Sequence, residues 1–174
     1  MPGPGRGAGA IALLVLLVLI LLFGERTGEE GTSPGGPTAP AGPVEAEVLR
    51  VIDGDTIEVD LGGETEDVRY IGVDTPETVK PGTPVQCFGP QASSFNHELV
   101  EDRLVRLEFD RERRDVYGRL LAYVYVGDRF VNAALVEGGF ARTLEIEPNT
   151  SRAAQLGRLE LSAGEDDRGL WGAC

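Results

Sequence analysis

Asp53 and Asp55 flank a glycine in Val51-Ile-Asp-Gly-Asp-Thr-Ile57, and Asp74 and Glu77 follow in Val68-Arg-Tyr-Ile-Gly-Val-Asp-Thr-Pro-Glu-Thr78. The second stretch also carries Arg69, and Asp115-Val-Tyr-Gly-Arg-Leu-Leu-Ala-Tyr123 carries Arg119. Carboxylates from separate segments repel one another unless a hard cation sits between them. A planar guanidinium donates two parallel hydrogen bonds to phosphate oxygens, which lysine cannot do. Water beside a glutamate and a cation becomes a usable nucleophile. These are the parts of metal-assisted phosphodiester chemistry. Each has a plainer reading: Asp-Gly-Asp is good turn sequence, Arg69 could sit in a surface ion pair, and Tyr117-Gly118 could enter a hairpin. Their joint presence is what points to a site.

Positioning those groups falls to short strands. From Glu45 the chain alternates apolar and polar residues over Ala46–Ile52, Thr56–Leu61 and Asp67–Val73, with Gly62-Gly63 as the second turn. This predicts a three-stranded antiparallel meander. A loop between Pro76 and Gly89 follows, long enough to serve as a flap. A helix is expected from about Pro90 to Leu104, with Ala92, Phe95, Leu99 and the stem of Arg103 inward and His97, Glu98 and Glu101 toward water. Two more strands, Val105–Asp110 and Leu120–Val126, bracket the charged segment Arg111–Gly118. A short helix near Asn132–Glu137 and a last one from about Ser151 to Ala163, capped by Asn149, Thr150 or Ser151, complete the pattern. Five strands with a helix after the third suggest a small closed barrel.

Composition sets the surroundings. The chain has 174 residues and a formal net charge of -13, and Lys80 is its one lysine. Arg6 and Arg26 against Glu25, Glu29 and Glu30 leave the first 43 residues nearly neutral, so the acidity belongs to the domain at 44–174. An acidic protein repels polyanions at long range, so a nucleic-acid enzyme of this composition needs either arginines gathered on one face or bound cations. The apolar run Ala8–Phe23 is expected to act as a signal anchor over residues 1–23, or as a signal peptide if cleaved. Either exports the domain, membrane-anchored or secreted. Residues 24–43, rich in Gly, Pro, Thr and Glu, read as a disordered linker. Cys87 and Cys174 then lie where oxidation is permitted, and a disulfide between them is favoured. A nucleophilic cysteine is the alternative, but His97, the one histidine, falls in the expected helix and offers no partner.

The motifs D-G-D-T, R-x-x-x-x-D-T-P-E and Y-G-R, in this order and at these separations, resemble those of the thermonuclease family, the staphylococcal-nuclease-like domains, over roughly Glu45–Trp171. The resemblance implies a mainly β fold with α: an OB-type five-stranded Greek-key barrel plus three helices. It implies calcium-dependent cleavage of DNA and RNA to products with 3'-phosphate ends, by a monomer holding one Ca2+ ion. Asp55 and Asp74 correspond to calcium carboxylates, Thr75 to a carbonyl ligand and Asp53 to an outer-shell carboxylate. Glu77 corresponds to the residue acting on the attacking water, Arg69 and Arg119 to the phosphate-binding and catalytic arginines, and Tyr117 to a nucleotide contact. Paired cysteines are similar to those of exported relatives.

Two departures concern binding. Arg142-Thr-Leu-Glu-Ile-Glu-Pro-Asn has no tyrosine where the family's best-known member stacks aromatics on the base, and Val116 replaces a basic residue that could meet a terminal phosphate. Rival readings are a nuclease-like binding module that has lost activity and an anchored adaptor with an acidic surface. The complete set Asp55, Asp74, Glu77, Arg69 and Arg119 argues against a degenerate copy.

Overall fold

The computed structural model describes residues 42–78 and 82–174. The expected leader and linker, 1–41, and residues 79–81 of the expected flap lie outside the described residues. Among the described residues no helix is long and apolar enough to cross a membrane.

Five strands form the barrel. β1 (Val44–Val51) pairs antiparallel with β2 (Thr56–Leu61), and β2 with β3 (Glu64–Tyr70). The turn between β2 and β3 is at Gly62-Gly63, as expected, with both residues at positive φ. β1 pairs on its other side with β5 (Leu104–Glu108), and β5 with β6 (Leu120–Val126). The parallel pairing of β3 with β6 closes the ring, through Val68↔Leu120, Arg69↔Leu121 and Tyr70↔Ala122. Period-two alternation sends Val48, Ile57, Val59, Val68, Leu107 and Leu120 into the interior, each at most 2% exposed. Burying such side chains is worth about 1.5–3 kcal/mol apiece.

Helices cap the barrel. α1 (Gly89–Val100) and α2 (Val131–Glu137) contribute Leu99, Val100, Val131, Leu135 and Val136 to the same core. β7 (Arg129–Phe130) forms a hairpin with β6 and leads into α2. α3 (Ala153–Glu165) and the single turn α4 (Leu170–Ala173) end the chain.

Three boundaries differ from expectation. The third strand splits: β3 stops at Tyr70, and β4 (Gly72–Asp74) pairs instead with β8 (Arg142–Leu144) in a second, two-stranded sheet. Gly72, at φ +79 and facing Leu156, makes the break. α1 ends at Val100, because Asp102 turns at φ 54 and Leu104 already belongs to β5. Arg103 is therefore exposed, bonding the Glu98 carbonyl, and is no part of the inner stripe. α3 begins at Ala153 with no side-chain cap, since Asn149 spends its amide elsewhere, on both backbone groups of Glu112. His97 is half-buried and pairs with Glu101 at 3.0 Å, within its own helix.

Candidate active site

Asp53, Gly54 and Asp55 form the turn between β1 and β2. Asp53 Oδ1 accepts the Asp55 N–H at 3.0 Å, the Asx arrangement that the sequence favours. Gly54 is required for a second reason: a Cβ there would lie 2.7 Å from Thr75 Oγ1. That close approach lets Thr75 reach Asp55. Asp55 Oδ2 accepts the Thr75 N–H at 2.7 Å and the Thr75 hydroxyl at 2.9 Å. The contact recorded for Thr75 is thus to a carboxylate, through its donors.

Arg69 joins the two halves. Its side chain is 14% exposed, and Nη1 donates to the carbonyls of Tyr70 and Val73, both at 2.8 Å. Nε lies 3.3 Å from Asp55 Oδ1 and Nη2 3.3 Å from Asp74 Oδ1. One guanidinium therefore fixes the β3–β4 break and stands between two carboxylates.

The carboxylates crowd one another. Burial, then the charge of Asp55, pushes Asp53 up to about 6. Burial and Asp55 also raise Asp74, with Glu77 adding to the effect and Arg69 opposing it. Such a field is relieved by a cation with a preference for oxygen, and every donor here is an oxygen. The donor chemistry fits a hard divalent ion. Among the described residues, however, no three acidic, histidine or cysteine side chains gather closely enough to hold an ion alone. Asp55 and Asp74 would be its protein carboxylates, with carbonyl and water oxygens completing the shell.

Arg119 arrives from the barrel closure. Residues 68 and 120 face inward as a pair, so Arg69 and Leu121 face outward on adjoining strands, and Arg119 immediately precedes the second of them. Arg69 and Arg119 line one cleft of about 360 Å³, walled by Tyr117, Val116, Leu144 and Ile146. Asp115 sets the second arginine: Oδ2 accepts from Nε at 2.8 Å and Nη2 at 2.7 Å, while Oδ1 accepts the N–H groups of Tyr117 and Arg119. The guanidinium lies 5.6 Å from the Tyr117 ring centre.

Glu77 is close by but does not line this cleft. Its charge is felt at Asp74, and its Oε1 accepts the Thr78 N–H at 2.8 Å. Cys87 and Cys174 form a disulfide, the favoured pairing.

Sequence reasoning missed three polar supports. Asn96, fully buried in α1, donates to the Asp53 carbonyl and accepts the Tyr70 hydroxyl, both at 3.0 Å. A polar residue beside Ala92 and Leu99 on the inner helical stripe was its available signal. Asp115, four residues before Arg119, was legible as an Asx turn. Asn149, which ties the Glu112 loop to the segment before α3, had no signal distinct from a cap.

A sequence model described as "Staphylococcal nuclease homologue" matches residues 67–173. The chain belongs to the staphylococcal nuclease family. It is 48% identical over 124 residues to a thermonuclease of Staphylococcus intermedius, covering 71% of this chain and 74% of that protein. It is 44% identical over 124 residues to a thermonuclease of Staphylococcus hyicus, covering 71% and 73%. Endonuclease YncB of Bacillus subtilis (strain 168) is 48% identical over 124 residues, which span 70% of this chain and 59% of that protein. A barrel of five strands with helices is the architecture expected for such a member, and it is present here.

Proposed function

We propose that this member of the staphylococcal nuclease family is a calcium-dependent endonuclease, cleaving DNA and RNA to leave 3'-phosphate ends. Family membership and the relatives' names make the chain a nuclease, a phosphodiester hydrolase. The observation that carries the finer reading is the placement of Arg69 between Asp55 and Asp74 while it shares a cleft with Arg119.

Each side chain has a defined task. Arg119, fixed by Asp115, offers a preset fork to a phosphate at the cleft, so little reorganisation is needed as charge builds on the equatorial oxygens. Arg69 contributes positive charge from the opposite wall and holds the two carboxylates apart. Asp55 and Asp74 would hold the cation, and Asp53 would tune them from the next position. The bound ion would neutralise phosphate charge and lower the pKa of water. Glu77, beside Asp74, orients that water or takes its proton. Tyr117 and the aliphatic wall receive the sugar and base.

Charge supports a cation. Arg50, Arg106, Arg114, Arg152 and Arg168 each sit in an ion pair, so these arginines do not make a basic face. Attraction of a polyanion to this acidic surface then depends on bound divalent ions. The N-terminal run supports an exported domain, anchored or secreted, and we propose that the domain acts as a monomer. Plasmid cleavage by the purified full chain, assayed with calcium and with chelator, tests the reading. Cleavage only with calcium, leaving ends that a polymerase extends only after phosphatase treatment, as 3'-phosphates require, is the expected result; equal cleavage in chelator refutes the metal requirement, and no cleavage in either refutes the enzyme.

A further inference from the structure

Glu77 is gripped at its backbone by one residue from across its loop. Its N–H donates to Gln86 Oε1 at 3.0 Å, and its carbonyl accepts the Gln86 N–H at 2.9 Å. Bonds to both peptide groups flanking one Cα restrict the direction in which that residue's side chain leaves the backbone. The grip is reinforced behind Gln86. The Gln86 carbonyl accepts the Gly89 N–H at 3.1 Å, and a Cβ at Gly89 would lie 3.0 Å from the carbonyls of Pro76 and Glu77.

The next residue along is Cys87, joined to Cys174. Cys174 bonds the Leu170 carbonyl in α4, and Leu170, 3% exposed, bonds Gly139 after α2 at 2.8 Å. Arg168 adds a bond to the Glu137 carbonyl at 2.8 Å. A continuous track thus runs from the helical body through the bridge to Gln86 and ends on Glu77. Few positions in these elements satisfy the geometry of a bridge. This one meets the chain one residue from the side chain that bonds Glu77.

We propose that Gln86 is a positioning residue for Glu77 and that the Cys87–Cys174 bridge holds Gln86 in place, so that turnover as well as stability depends on the bridge. The inference rests on the reading of Glu77 as the residue acting on the attacking water. A misplacement of about 1 Å lowers rate by roughly a hundredfold. Substrate affinity, set by Arg119 and Tyr117 at the cleft, is untouched.

The test compares kcat and KM on one oligonucleotide, with calcium, well below every variant's melting temperature. Full-chain wild type, Gln86→Met, Gln86→Glu, Glu77→Gln and the double variant Cys87→Ser/Cys174→Ser are used. Gln86→Met and the double variant are expected to lose about 10–100-fold in kcat with KM unchanged. Gln86→Glu, which keeps the acceptor oxygen, recovers most of the loss. Wild-type kcat in folded Gln86→Met, with Glu77→Gln inactive, overturns the inference. Wild-type kcat in Glu77→Gln overturns instead the role of Glu77 on which it rests. Wild-type kcat in the folded double variant overturns the part of the bridge; should that variant fail to fold, kcat of the wild type before and after reduction of the bridge decides that part.

Discussion

The carboxylate side of the site and the nucleotide side are built to different standards. Asp55 is 5% exposed and bonded from Thr75, Thr56 and Arg69, while Asn96 pins the adjoining turn from within the core. Across the cleft, Val116 is 93% exposed, Tyr117 82% and Ile146 60%. Asp55 and Arg69 are tied to the barrel through Thr75, the Tyr70 and Val73 carbonyls and a buried amide, whereas Val116, Tyr117 and Ile146 hang on loops. Chemistry tolerates little displacement, whereas contact with a base is sequence-tolerant and gains only about 1–3 kcal/mol per stacked base. The contrast teaches where variation can be absorbed: at the rim, where Val116, Leu144 and Ile146 are aliphatic and exposed.

The sharpest way to break the comparison is to remove a group from the rigid side. Arg119→Ala and Glu77→Gln should each lower kcat by orders of magnitude, roughly 10³-fold, with near-native circular dichroism, because both serve the transition state. Undiminished turnover in folded Arg119→Ala would dissolve the distinction between the two sides.

Next in size is the support beneath them. Asn96→Leu leaves the Asp53 carbonyl and the Tyr70 hydroxyl unpaired in the core, and should cost about 1–3 kcal/mol in urea unfolding. It should weaken calcium binding by calorimetry as well, since the turn carrying Asp55 is released. Calcium affinity unchanged at lowered stability would separate the core from the metal turn.

The rim should respond in the opposite sense. Ile146→Tyr supplies a stacking face beside the cleft and should tighten KM by about fivefold, near 1 kcal/mol, with kcat unaltered. A fall in kcat would mean that the rim takes part in the chemistry.

A last test concerns protons. Burial and the charge of Asp55 hold Asp53 near about 6 in the folded chain, against about 3.9 for an unfolded aspartate. The native state binds the extra proton between these values, so the stabilising contribution is present below about pH 4 and is lost as pH rises through about 6. In chelator, wild type should therefore lose stability relative to Asp53→Asn across that interval, and calcium should flatten the difference. A difference already independent of pH in chelator would show that Asp53 is not crowded.

Much of this was legible before any coordinates. The barrel strands were readable because alternation is a local signal, and β2 and β6 fall at the expected residues. The break after Tyr70 was not, because it depends on Arg69 bonding two carbonyls and on β8 arriving from seventy residues downstream. Motif order named the proposed site residues, and the structure brings Asp55, Arg69 and Asp74 together and sets Arg69 and Arg119 in one cleft. Their supports were not legible: Asn96 and Asn149 act through pairings of residues far apart in the chain and Gln86 across its own loop, and amide side chains read locally as caps or solvent contacts. The helix caps failed for that reason, since Asn149 was claimed by a partner no local rule could reveal.

The parallel contact between β3 and β6 joins the last open seam of the barrel, and it also sets Arg69 beside the strand that Arg119 leads. Completing the fold and arming the enzyme are therefore one event. A chain with that seam open would keep each arginine but lose their common cleft.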